Sequence, residues 1–368
     1  MAAPQELTQL ALRDYAPRSQ LIVPTTEITQ AHEPAVDAHA HLGRWLTGGW
    51  AVPDPGALVA LMDRCNVAAI VNLDGRWGAE LQANLDRYDR AYPGRFATFC
   101  HIDWARLQAS GGRASSGQAD GSNTGGSQAG DQLADDLSAA VAAGARGLKV
   151  WKDLGLAVRD GAGQLVLPDD ARLGPLWRRA GELGIPVAIH TADPVAFFDP
   201  ADQANERLEE LLAHPDWSYA GRGLPGFPRL ISALEAVVAA HPGTSFIGVH
   251  AGCYAEDLGW VARMLDSYPN FCVDIAARIA ELGRQPRRTR ALLLRHPGRV
   301  LFGTDEIPPA EDAYRTYFRF LESADEHFPH TSQQPPEQGR WMISGLDLPP
   351  DVLAQVYAAN ARRLIPGL

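Results

Sequence analysis

From Pro34 onward, short apolar runs that alternate every second residue are each followed by a longer stretch whose apolar positions recur every three or four residues. This is the pattern of repeated βα units around a parallel sheet. Eight runs read as strands: AVDAHAHL from Ala35, VAAIVNL from Val67, RFATFCHI from Arg95, ARGLKVWK from Ala145, IPVAIH from Ile185, TSFIGVH from Thr244, NFCVDIA from Asn270 and RVLFGTD from Arg299. Between them, PGALVALMDRC, DQLADDLSAAVAAG, DDARLGPLWRRAGELG and ISALEAVVAAHPG read as helices, with Gly144 and Gly184 placed to stop two of them. Eight such units predict an α/β fold, a closed (β/α)8 TIM barrel spanning residues 34–368. A doubly wound open sheet would carry a glycine-rich phosphate loop after its first strand, and HAHLGRW stands there instead.

Residues 1–33 read as an N-terminal arm, and the chain beyond Glu322 as an extension ending in a helix near Pro350 to Leu364; neither reads as a domain. The segment 110–130, SGGRASSGQADGSNTGGSQAG, has almost nothing apolar to anchor it and predicts a disordered surface insertion. It follows the third strand, on the face where barrel loops build active sites, but its composition favours a passive insertion over a lid.

Composition narrows the partners. Of 368 residues, 46% are hydrophobic and 21% charged, enough for a sizeable core. A net charge of −11, with basic residues clustered only between Arg284 and Arg290, excludes a nucleic-acid footprint and favours a small-molecule substrate. The four cysteines are too far apart in sequence for a zinc cluster or redox motif, which suits a reducing cytoplasm. The chain opens on no basic-then-apolar leader and has no run approaching the roughly 20 apolar residues of a membrane span. The expectation is an unexported cytoplasmic protein with no membrane partner, for which a homodimer is compatible.

The chemistry concentrates at strand ends. Strict alternation puts Asp37, His39 and His41 on one face of the first strand, so that two imidazoles fixed on one rigid element can hold a metal. Later strands repeat the parity: Ala188 with His190, Gly248 with His250, Gly303 with Asp305, each pair ending at the C-terminal mouth where barrel sites lie. On the fourth strand Gly147, Lys149 and Trp151 share the inward face, and Lys152 is expected outside as a solvated charge. Arg278 and Arg284 follow the seventh strand, where a guanidinium can hold a substrate carboxylate in bidentate fashion. Asp274, Glu256 and Asp257 could orient His250, although acids so placed more often cap helices. His101 reads as a supporting histidine.

With DAHAHLG, GLKVWKDLGL, VAIHTADP, FIGVHAG and LFGTDEIP in this order, the chain resembles the amidohydrolase superfamily, and most closely its amidohydrolase-related branch of hydrolases and aminocarboxymuconate-semialdehyde-type decarboxylases. The resemblance implies a divalent metal, zinc first and Mn, Fe or Co as alternatives, held by His39, His41, His190 and Asp305. It implies Asp305 as proton acceptor as well, and His250 as a group that polarises the substrate or moves a proton. Lys149 would bind substrate or, carboxylated, bridge a second metal; Trp151, Arg278 and Arg284 would contact substrate. The implied reaction is hydrolysis of an amide, lactone or ester. Decarboxylation is the alternative, and a catalytically inert binding barrel the non-enzymatic one.

Overall fold

The computed structural model describes residues 9–11, 14–15, 17–109 and 124–368. All eight expected strands are present: β1 (Ala35–Ala40), β2 (Val67–Asn72), β3 (Phe96–Thr98), β4 (Leu148–Val150), β5 (Val187–Ile189), β6 (Phe246–Gly248), β7 (Phe271–Asp274) and β8 (Val300–Leu301). Parallel ladders join β1-β2-β3 and β4-β5-β6-β7-β8. Backbone bonds close both gaps. Between β3 and β4 the Cys100 N–H donates to the Gly147 carbonyl at 2.9 Å, and the Lys149 N–H to the Cys100 carbonyl at 2.8 Å. Between β8 and β1 the Ala38 N–H donates to Phe302 O at 2.9 Å, and the Asp305 N–H to His39 O at 2.8 Å. The result is a closed eight-stranded TIM barrel, which leaves no free sheet edge.

One long helix follows each strand: α1 (Pro55–Arg64), α2 (Gly78–Asn84), α3 (Thr124–Ala143), α4 (Gly174–Glu182), α5 (Phe227–Ala240), α6 (Leu258–Ser267), α7 (Pro286–Arg295) and α8 (Glu311–Glu322). Gly184 adopts φ +65 two residues past α4, a left-handed turn that a side chain resists. Beyond α8, a small antiparallel pair, β9 (Phe328–Pro329) with β10 (Met342–Ile343), is an element the periodicity did not announce. The arm docks by its last residues: Thr26 donates through both its N–H and its hydroxyl to Asp325, at 2.7 and 2.8 Å.

Of the expected insertion, residues 110–123 lie outside the described residues. Its end is helical, because α3 starts at Thr124 rather than near Asp131. Gly130 packs so closely on the segment before α4 that an added Cβ would collide with the Arg172 carbonyl oxygen and lie 3.0 Å from Pro175. Within a helix, Gly→Ala ordinarily stabilises by about 1 kcal/mol. At Gly130 the sign is expected to reverse, since overpacking costs about 1–3 kcal/mol, so Gly130→Ala should melt several degrees below the wild type. A higher melting temperature would refute this packing.

Candidate metal centre and cavity

The register of β1 against β2 sets the site. Asp37 lies opposite Ile70 and Ala40 opposite Asn72, so Ala38 and His39 together span the single position of Val71. This is a β-bulge, which re-aims side chains next to the irregularity. The alternation expected for β1 is corrected by it. Val36 joins the apolar packing of Ala69, Ala188 and Cys272 on the inner face. Asp37 points outward, accepting from the Thr304 N–H at 3.1 Å, the Thr304 hydroxyl at 2.7 Å and the Tyr314 hydroxyl at 3.0 Å. Burial pushes its carboxyl up to about 6 even against these bonds. Asp37 therefore ties β1 to β8 and α8, while the bulge turns both His39 and His41 toward the cavity.

Strand β6 departs similarly from its expected parity. Ile247 pairs with Ala188 and Cys272 on the inner face, whereas a Cβ on Gly248 would lie 2.5 Å from the Phe271 ring on the outer one. His250 reaches the cavity because it and Ala251 turn left-handed, at φ 58 and 57. That conformation is costly for residues with a Cβ, and it is held here by tertiary bonds. The His250 N–H donates to Asp274 Oδ1 at 2.7 Å, and its Nδ1 lies 2.8 Å from the Ala276 carbonyl oxygen. Strands β5 and β8 keep the expected parity, with His190 and Asp305 inward; Asp305 is also left-handed, at φ 65.

Donor atoms of His39, His41 and Asp305 lie within 4.8 Å of one another. The Asp305 carboxylate is 3.2 Å from His41 Nε2, 3.4 Å from His39 Nε2 and 3.8 Å from His250 Nε2. The protons on these rings can be assigned from their partners. His39 Nδ1 is 2.8 Å from Asp274 Oδ2 and His250 Nδ1 faces a carbonyl, so both Nδ1 atoms carry the hydrogen. Burial drives both imidazoles toward the neutral form. Their Nε2 lone pairs consequently face a carboxylate. Burial opposes ionisation of Asp305; its carboxyl lies well below the usual range where the surrounding imidazoles carry positive charge, the charge that a bound cation would supply once they are neutral.

Lone pairs meeting an anion at such distances call for a cation between them, and this donor set of imidazole nitrogen and carboxylate oxygen suits a divalent metal. His41 offers two ring nitrogens with no hydrogen-bond partner, and His190 offers a buried, unpartnered Nδ1. His190 stands beside the cluster rather than in it: its ring centroid is 4.6 Å from that of His250, while its Nε2 is 3.2 Å from Asp193 Oδ1. Burial lowers the His190 pKa to about 4, which keeps its lone pair available. His39, His250 and Asp274 also come together, but both Asp274 oxygens are occupied by donors. Asp274 is therefore the carboxylate that fixes the His39 ring, as carboxylates commonly do behind metal-binding histidines.

The cluster opens into a cavity of about 980 Å³. Its walls include Trp45, Trp151, Phe197, Trp217, Tyr219 and Tyr317, with Lys152, Asp193, Arg278 and Glu306 among the polar residues. Lys149 is fully buried; its Nζ is 3.4 Å from His39 Nε2, and burial lowers its pKa to about 8. Lys152 is not the free surface charge expected, since its Nζ meets Asp193 Oδ2 at 2.5 Å in the cavity wall. The same oxygen accepts from the Tyr219 hydroxyl at 2.6 Å. Arg284 is not brought to the cavity: it pairs with Glu206 at 3.1 Å and stacks on Trp341. His101 is a supporting residue, its Nε2 2.7 Å from the Leu73 carbonyl oxygen and its ring against Trp45. Asp257 caps α6, as acids there commonly do.

Asp274 is a residue on which the sequence reading did not settle, and Asp193 is one it missed. Asp274 shares a face of β7 with Cys272, the same parity argument that selected His190. Asp193 stands three residues after His190, in HTADP.

The Amidohydrolase family profile matches residues 36–367, and the chain belongs to that family. Among solved structures it is similar to a TIM-barrel protein from Bordetella bronchiseptica, at 14% identity and TM-score 0.53 over 90% of this chain and 97% of that one. It is also similar to 2,6-dihydroxybenzoate decarboxylase from Rhizobium, at 16% identity and TM-score 0.54 over 90% of this chain and 98% of that one. At such identities the likeness carries the fold alone. Comparison with curated proteins found no match. Among the described residues, no helix is long and apolar enough to cross a membrane.

Proposed function

We propose that the protein is a metal-dependent hydrolase acting on a carbonyl of a small molecule in this cavity, its cation held by His39, His41, His190 and Asp305. The observation carrying the reading is the convergence of the Nε2 atoms of His41, His39 and His250 on the Asp305 carboxylate, within 3.2 to 3.8 Å, with His190 beside them. Zinc fits this histidine-rich set best, with Mn, Fe or Co as alternatives. Bound there, the ion supplies Lewis acidity to oxygen atoms in the cavity.

The chain's own groups do the rest. Asp305, ionised and 22% exposed, takes a proton from water and returns it to the leaving group. His250 holds its Nε2 lone pair toward Asp305, which suits it to accept a proton, one of the two roles the resemblance implies for it. Aromatic walls give an apolar substrate body a surface to pack on.

Decarboxylation is the second reading, favoured by Lys149, a buried cation beside the cluster able to hold a carboxylate. Purified metal-loaded enzyme is to be tested on amides, lactones, esters and carboxylic acids. Release of the hydrolysed acid supports the proposal, and release of carbon dioxide replaces it with the second reading. Protein that neither holds nor takes up stoichiometric zinc or manganese would be the inert barrel. His190→Ala is expected to weaken metal binding by more than the roughly 10–100-fold that loss of a supporting partner causes, with the fold unchanged. Elemental analysis showing wild-type metal content would remove His190 from the ligand set.

A further inference from the structure

Among the described residues, three Lys or Arg side chains are more than nine-tenths buried: Lys149, Arg207 and Arg278. Arg207 has its counterions, donating to Glu210 at 2.6 Å and to Glu281. Arg278 differs. Among the described residues, no carboxylate lies within ion-pair distance of it. Among the described residues its guanidinium makes one hydrogen bond, from Nη1 to the neighbouring Ala277 carbonyl at 2.8 Å, and its buried Nε has no partner. Glu281, Glu210 and Glu256 act on its charge from farther away, and the first two are already engaged by Arg207.

Burying a guanidinium without a partner is expensive, and a fold tolerates it where a ligand supplies the missing anion. Arg278 lines the same cavity as His41, His190, His250 and Asp305. The loop that carries it also positions the site: Asp274 holds the His39 ring, and the Ala276 carbonyl holds the His250 ring. Anything gripped by Arg278 is thereby presented to the cluster in fixed register with it.

We infer that the substrate is an organic carboxylate whose anionic group is held by Arg278, with its apolar body against the aromatic walls formed by Trp151, Trp217 and Tyr317. The inference rests on the proposed hydrolase site and names its substrate class. A planar fork of donors matches a carboxylate in a way that a point charge does not.

The test is titration of metal-loaded protein with benzoate and with its neutral counterpart benzamide, read by calorimetry and by tryptophan fluorescence, with metal content measured on the same samples. Benzoate is expected to bind at least about 10-fold more tightly than benzamide. Arg278→Met should weaken benzoate by about 100-fold and Arg278→Lys by about 10-fold, with benzamide little changed in either. Should Arg278→Met fail to fold, Arg278→Lys and the benzoate-to-benzamide ratio of the wild type still decide. Equal binding of the two ligands, or benzoate affinity indifferent to Arg278, overturns the assignment. Benzoate bound only through the metal would leave its affinity indifferent to Arg278. Protein lacking metal yet keeping the Arg278-dependent preference would sink the hydrolase reading and spare the anion site.

Discussion

Asp305→Asn is expected to lower turnover by about 10³-fold or more and to lower metal content with it. The substitution is nearly isosteric, and asparagine accepts the left-handed conformation at φ 65 as aspartate does. The backbone bond to His39 O at 2.8 Å does not involve the side chain, so the strand closure should persist. What disappears is the only anion among the proposed ligands and the only group in the set that can take a proton from water. Loss of a positioned general base alone costs about 10²–10⁴-fold, and weaker metal binding adds to it. Removing this charge also strips Lys149 of the leading interaction that favours its protonated form, so its pKa should fall further below about 8. Elemental analysis alongside turnover checks the prediction. Full metal content with turnover within 10-fold of wild type would mean that Asp305 neither ligates nor accepts the proton.

His250→Asn should behave differently: turnover reduced by roughly 100-fold or more, with metal content and melting temperature near normal. His250 is tied to the protein through the Ala276 carbonyl and Asp274, and its Nε2 is the farthest of the three from Asp305, at 3.8 Å. An asparagine amide can keep a donor toward Ala276 and tolerates the left-handed backbone, which separates loss of chemistry from loss of fold. Metal loss in parallel with His190→Ala would instead make His250 a ligand. A two-metal site including Lys149 would then be the better description, and Lys149→Ala should lose metal too.

The local pattern was sufficient for much of this. Alternating and helical periodicities located all eight strands, because a buried parallel strand must be apolar wherever it lies in the barrel. The same parity was sufficient for His190, Lys149 and Trp151 as inward residues, since their strands run regularly up to the mouth, and it selected Asp305 as well although that residue turns left-handed at φ 65. It failed where the backbone leaves regular geometry. The β1 bulge reverses Asp37, and the left-handed turn at His250 rescues a histidine that β6 would have pointed outward. Neither feature follows from adjacent residues: Asp37 is held by bonds from Thr304 and Tyr314, 267 and 277 residues away, and His250 by the bond from its N–H to Asp274, 24 residues away on β7. Pairing was equally invisible. The sequence reads Lys152 as a solvated surface charge and Arg284 as a substrate contact, yet the first finds Asp193 in the cavity wall and the second finds Glu206 away from it. The sequence by itself determined which side chains could serve a metal and an anion. Only the tertiary structure decided which of them keep a lone pair or a charge unspent, because partners are a property of three-dimensional proximity and not of spacing along the chain.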